Sequence, residues 1–169
     1  MNAFEALAAC AGSWRGTNTL EDPESGKSQE SASTLTVTPV LGGSFVRVDY
    51  TWRYQDKPQE GSLLVGCQPT VGAVSVHWID TFHVGRTVMT LTGTLPGVAD
   101  GGLPVETPSL DAGDTLSVRG TYAAPPGPDW GWRIDITPDP GPSLRIVMFN
   151  IWPDGQREEL AVDATYARA

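Results

Sequence analysis

Both histidines of the chain fall in His77-Trp78-Ile79-Asp80-Thr81-Phe82-His83, which brings a carboxylate and imidazoles together within one short segment. In an extended strand side chains alternate between faces, so Asp80 follows Trp78 to one side and His77 goes to the other. If the Trp78 side is the interior, Asp80 must be paired, hydrogen-bonded or protonated to offset its desolvation. His83, three residues on, can supply that partner, or can act as a general base oriented by Asp80. The plainer alternative is an aspartate that organises the turn after the strand while His83 sits at the surface.

Other chemistries find less support. His77, Asp80 and His83 meet the ligand count of an open zinc site, but alternation separates His77 from Asp80, and Cys10 and Cys67 have no paired spacing, so no metal or other cofactor is expected. Ser, His and Asp all occur, yet no G-x-S-x-G turn does. Dinucleotide, P-loop, H-E-x-x-H and calcium-loop patterns are missing too.

Aromatic content is a second lead. Six Trp and four Tyr exceed what an aliphatic core needs, and Tyr50, Trp52, Trp78, Trp132, Trp152 and Tyr166 all fall on apolar parities. Aromatic rings with polar tips suit a pocket that takes a mainly apolar ligand, and Asn150 adds a further polar group. The alternative is that these rings simply fill a small barrel. Tyr50, Trp78, Asp80, His83, Trp132 and Asn150 form the candidate ligand-binding set.

The elements that position these residues read as β-strands. After a short helix over 2–9, ended by Gly12, runs rich in Val, Thr, Ile, Tyr and Trp recur between Gly, Pro and Asp punctuation. The expected strands are Ser13–Leu20, Glu30–Val40, Phe45–Tyr54, Gly61–Cys67, Ala73–Asp80, Val88–Thr94, Leu116–Ala123, Gly131–Ile136, Leu144–Trp152 and Glu158–Tyr166. Short links such as Leu41-Gly42-Gly43 and Pro153-Asp154-Gly155 favour antiparallel neighbours. Alternation puts Val46, Val48, Tyr50 and Trp52 inward, with Val74, Val76, Trp78 and Asp80, with Trp132, Ile134 and Ile136, and with Leu160, Val162, Ala164 and Tyr166. Leu144–Trp152 is apolar on both faces, which calls for a cover over Val147, Phe149 and Ile151: the N-terminal helix, a loop, or a second copy in a homodimer. The loops 95–114 and 124–129 are candidates to border a ligand entrance.

Composition sets outer limits. The 169 residues suit one domain, and 40% hydrophobic with 18% charged residues is a globular balance. A net charge of −9 and a pI near 4.5 argue against nucleic acid as a partner. No apolar run is long enough for a transmembrane helix. Leu7-Ala8-Ala9-Cys10 looks like a lipoprotein processing site, but Glu5 and the lack of Lys or Arg before it make a poor leader, and the two cysteines read as free thiols. A cytoplasmic protein is expected.

Gly12-Ser13-Trp14-Arg15-Gly16 resembles the G-x-W entry of lipocalin-like barrels. With Gly43 to Tyr50, Trp78 to His83, Tyr122 to Trp132 and the ending Ala164-Thr165-Tyr166-Ala167-Arg168, the sequence resembles a bacterial family of unknown function grouped with the calycin-like barrels. That resemblance covers nearly the whole chain. It implies an all-β, antiparallel up-and-down barrel of about ten strands, and carries no catalytic residues. It also implies that Trp14 closes the barrel floor beneath a basic residue of the last strand, which Arg168 supplies. A related branch of small barrels binds heme through a histidine near the C-terminus. No histidine follows His83 here, so heme is not expected.

The reading that follows is a binding protein for a small hydrophobic or amphipathic molecule held in the barrel interior. An isomerase or hydrolase using His83 and Asp80 at the barrel mouth is the alternative, and a dimerising module with a filled barrel is a third.

Overall fold

The computed structural model describes residues 1–22, 25–95, 115–139 and 142–169. Ten strands follow one short helix: α1 (Ala3–Ala9), β1 (Gly12–Glu21), β2 (Ser28–Val40), β3 (Phe45–Tyr54), β4 (Lys57–Gln68), β5 (Ala73–Asp80), β6 (Met89–Thr94), β7 (Leu116–Tyr122), β8 (Trp130–Pro138), β9 (Ser143–Ile151) and β10 (Glu158–Arg168). Each strand pairs antiparallel with its sequence neighbours, and β1 pairs with β10 to close the barrel. This is the all-β up-and-down barrel with a short N-terminal helix that the sequence implies.

Closure is uneven around the ring. β1 and β2 pair along ten residues, from Gly12↔Val37 to Glu21↔Ser28. Among the described residues the register between β6 and β7 carries one pair, Thr92 and Arg119. Glycines flank that seam: a Cβ on Gly93 would lie 2.1 Å from the Ser117 carbonyl oxygen, and one on Gly120 would lie 2.6 Å from that of Thr90.

One end of the barrel is plugged. Asn2 caps α1 through a capping box with Glu5, and Leu7 of that helix is fully buried. The Trp14 indole N–H donates to the Cys10 carbonyl at 2.9 Å, tying helix to first strand. Arg168 lies over the Trp14 ring at 4.5 Å and donates to the Ala11 carbonyl at 2.9 Å. The floor pairing expected of Trp14 and Arg168 is therefore in place.

Inside, the two-residue period holds on β3, β5 and β8: Val46, Val48, Tyr50, Trp52, Val74, Val76, Trp78, Asp80, Trp132, Ile134 and Ile136 are all buried. On β10 Val162, Ala164 and Tyr166 are buried as expected, but the register slips between Leu160 and Val162, so Ala161 is buried and Leu160 is 41% exposed. Trp152 also departs from its expected inward place. β9 ends at Ile151, and Trp152 instead packs against Trp130 at 4.9 Å with the Arg157 guanidinium 4.0 Å above its ring.

Two of the three outward apolar residues of β9, Phe149 and Ile151, pack against β8. Arg133 of β8 lies 4.0 Å over the Phe149 ring and is fixed there by Glu158 at 2.7 Å and by Asp135. Ile151 packs over Gly131 of β8. The helix makes its main contacts with β2 and β8.

Candidate functional site

The opposite end of the barrel, where β5 ends and β6 begins, carries the site. Asp80 closes β5 with its side chain fully buried. Its Oδ1 accepts the backbone N–H groups of Phe82 at 2.9 Å and Val84 at 3.2 Å, together with that of His83. These bonds fold the turn that follows, and the turn sends the His83 side chain back into the barrel. There His83 Nδ1 meets Asp80 Oδ2 at 2.7 Å. The turn-organising and histidine-pairing roles of Asp80 thus coexist, one on each carboxylate oxygen.

The chain of contacts continues away from His83. The Tyr50 hydroxyl donates to Asp80 Oδ2 at 3.3 Å, and the Trp78 indole N–H donates to the Tyr50 oxygen at 2.8 Å. Tyr50, Gly61 and Asp80 are register partners across β3, β4 and β5. Gly61 is what lets the Tyr50 ring cross, since a Cβ there would lie 2.3 Å from its hydroxyl.

Burial alone would raise the Asp80 pKa, but the hydrogen bond and charge of His83, with the backbone N–H groups of His83 and Val84, outweigh it and hold the carboxyl below its ordinary value. Burial, reinforced by the Asp80 charge, pushes the Tyr50 phenol well above its usual value. Asp80 is thus the ionised member and Tyr50 a permanent donor. The other ring nitrogen of His83, Nε2, is buried and has no hydrogen-bond partner among the described residues.

Aromatic rings enclose His83: Phe82 at 4.9 Å, Trp132 at 5.3 Å, Trp78 at 5.6 Å and Trp52 at 6.0 Å between centroids. The imidazole separates two spaces. Below it, among Asn18, Trp52, Met148 and Tyr166, the barrel leaves only about 10 Å³ for the centre of a water-sized body. Above it a mouth cavity of about 490 Å³ is lined by Trp78, Trp132, Met89, Val84, Tyr122 and Asn150, with Thr87 and Ala123. The Tyr122 hydroxyl donates to Asn150 Oδ1 at 2.9 Å. Buried side chains thus crowd the space below His83, and a space of ligand size lies at the mouth.

The model of a family described as "Protein of unknown function (DUF1579)" matches residues 2–168. The chain belongs to this family. No curated protein matches the sequence. Among solved structures, the chain is similar to Rv2717c from M. tuberculosis, at 16% identity and a TM-score of 0.60, covering 99% of this chain and 97% of that one. At that identity the likeness shows a shared fold.

In this DUF1579 chain, Trp78, His83, Trp132 and Asn150 of the expected set line the mouth cavity. Tyr50 and Asp80 are not in its lining: Asp80 bonds His83, and Tyr50 donates to Asp80. His77 lies on the outer face beside Thr90. Among the described residues no cluster of three or more His, Cys, Asp and Glu side chains could hold a metal. Tyr122 and Met89 were not anticipated. Tyr122 was within reach of the sequence, because it shares the parity of the buried Leu116 and Val118 on β7. The loop 95–114 falls outside the described residues beyond Leu95. The loop 124–129 follows Ala123 at the mouth.

Proposed function

We propose that this chain is a binding protein that takes a small, largely apolar molecule in the mouth of the barrel rather than in its centre. The observation that carries this reading is the cavity of about 490 Å³ bounded by Trp78 and Trp132, whose rings stack at 5.3 Å, and by a His83 held in one orientation. Such a space is within the size range of small-molecule sites, and its walls are mostly apolar with few polar groups. Rings fixed by neighbours lose little further freedom on binding, which favours affinity.

Native mass spectrometry of the purified protein tests this. Ala123 is exposed on the cavity wall, so Ala123→Trp fills the mouth without entering the core. The expected result is a copurified small mass on the parent protein that the variant lacks. A ligand-free parent that also fails to take up small aromatic probes counts against the proposal, and the same spectra report the oligomeric state.

The 2.7 Å contact between Asp80 and His83 favours one second reading, an acid–base enzyme in which Asp80 orients His83. His83→Gln separates the two. Lost turnover of a bound compound with affinity retained would move the assignment to the enzyme. Action in the cytoplasm is part of the proposal and is supported by two unpaired cysteines, one buried and one half-buried.

A further inference from the structure

We infer that the mouth site selects a neutral molecule whose apolar body carries one hydrogen-bond acceptor, such as a ketone or amide carbonyl, over a carboxylate or a wholly apolar analogue. This rests on the reading of the mouth as a binding site and adds the polarity of what it takes.

Several polar groups in the wall are already engaged. Trp78 gives its N–H to Tyr50, His83 meets Asp80 through Nδ1 while its Nε2, like Asn18 Nδ2 on the small space below the ring, is buried without a partner among the described residues, and Thr87 donates its hydroxyl to the Val84 carbonyl at 2.8 Å. Tyr122 donates to Asn150 Oδ1, and burial raises the Tyr122 pKa, so that phenol keeps its proton. The Nδ2 donors of Asn150, a residue of the cavity wall, have no hydrogen-bond partner among the described residues. Next to it, the Trp132 indole N–H is buried without an acceptor among the described residues. Trp132 and Asn150 are direct register partners across β8 and β9, so two donors stand side by side on one face. A buried donor without an acceptor costs free energy that a ligand oxygen can recover.

Charge then narrows the class. No Asp, Glu, Lys or Arg among the described residues lines the cavity. The ionised Asp80 is paired with His83, and the chain carries −9 overall. A carboxylate would enter with no Lys or Arg to meet it and with His83 already paired to an anion. A neutral carbonyl oxygen accepts both donors and brings no charge. The faces of Trp78 and Trp132, with Val84 and Met89, suit a flat apolar body.

Calorimetric titration with four naphthalenes of similar size tests the inference: 2-acetylnaphthalene, 2-ethylnaphthalene, 1-(2-naphthyl)ethanol and 2-naphthoate. The ketone should bind about tenfold tighter than the ethyl compound, the worth of roughly one net hydrogen bond. Asn150→Leu should remove that preference while leaving 2-ethylnaphthalene bound. Tyr122→Phe, which frees the Asn150 amide to turn, should weaken the preference without changing the fold. Equal affinity for all four compounds overturns the donor assignment while the binding site stands. Tightest binding of the alcohol or of the naphthoate overturns it as well. Binding of none of the four removes the mouth site itself.

Discussion

The Tyr50 hydroxyl reaches the Asp80 carboxylate by passing across Gly61, the residue between them in the sheet register. A Cβ at position 61 would lie 2.3 Å from Tyr50 Cζ and 2.8 Å from Asp80 Cβ. The bond that ties β3 to the mouth thus depends on a missing side chain on the strand between.

Gly61→Ala should therefore destabilise the protein by about 1–3 kcal/mol, the usual range for overpacking a dense interior. Urea unfolding measures it. Gly127→Ala serves as the control, since its nearest contact would be an ordinary 3.4 Å, and it should shift the midpoint little. Equal effects of the two changes would contradict the crossing.

Acid should expose the Asp80 pair. The folded carboxyl titrates below its ordinary 3.8, whereas the unfolded one does not. Its contribution is therefore complete above about pH 3.8 and is lost as pH falls through the lower folded value. Asp80→Asn should cost about 1.5–3 kcal/mol near neutrality and should flatten this acid limb. An unchanged limb in the variant would assign it to other carboxylates.

At alkaline pH the sign reverses. Burial raises Tyr50 well above 10.0 and Tyr166 to about 12. Their stabilising contribution is complete below pH 10, where folded and unfolded phenols are both protonated, and is lost as pH climbs through the folded values. Tyrosinate absorbance should rise in two stages, with the later stage smaller in Tyr166→Phe. A single stage near pH 10 in the intact protein would rule this out.

At the floor, Arg168→Ala removes the cation over Trp14 and the bond to the Ala11 carbonyl. A loss of about 1 kcal/mol is expected for a cation–π pair at a site open to water. Arg168→Lys should recover only part of it, because the ammonium lacks the planar guanidinium. Thermal unfolding of the two variants gives the comparison.

Most of the barrel was legible because a two-residue period is a local signal. Val46, Val48, Tyr50 and Trp52 display it without help from any other strand. The first residues of β4 do not: Lys57-Pro58-Gln59-Glu60 has no apolar alternation, and its pairing with β3 follows from the tight turn at Gln55 and Asp56, both at positive φ. The bulge that turns Leu160 outward is likewise a property of two strands together.

The site was legible to the same depth. Parity sends Asp80 inward from sequence alone, and the short spacing brings His83 within reach. That His83 folds back among three tryptophans depends on three backbone N–H groups gathering on Asp80 Oδ1, which no spacing rule encodes. The bond from Tyr122 to Asn150 joins β7 to β9 across β8 and needs the registers of both pairs.

The single pairing of Thr92 with Arg119 among the described residues of β6 and β7 has a consequence for how the molecule behaves in a crowd. A closed barrel offers no open strand edge for another chain to extend, which is a common protection against sheet-to-sheet polymerisation. Among the described residues that protection narrows here to one rung of the ladder. Amide exchange should be fastest along β6 and β7, and a molecule that loses this rung turns from a sealed cylinder into a curved sheet with two sticky margins.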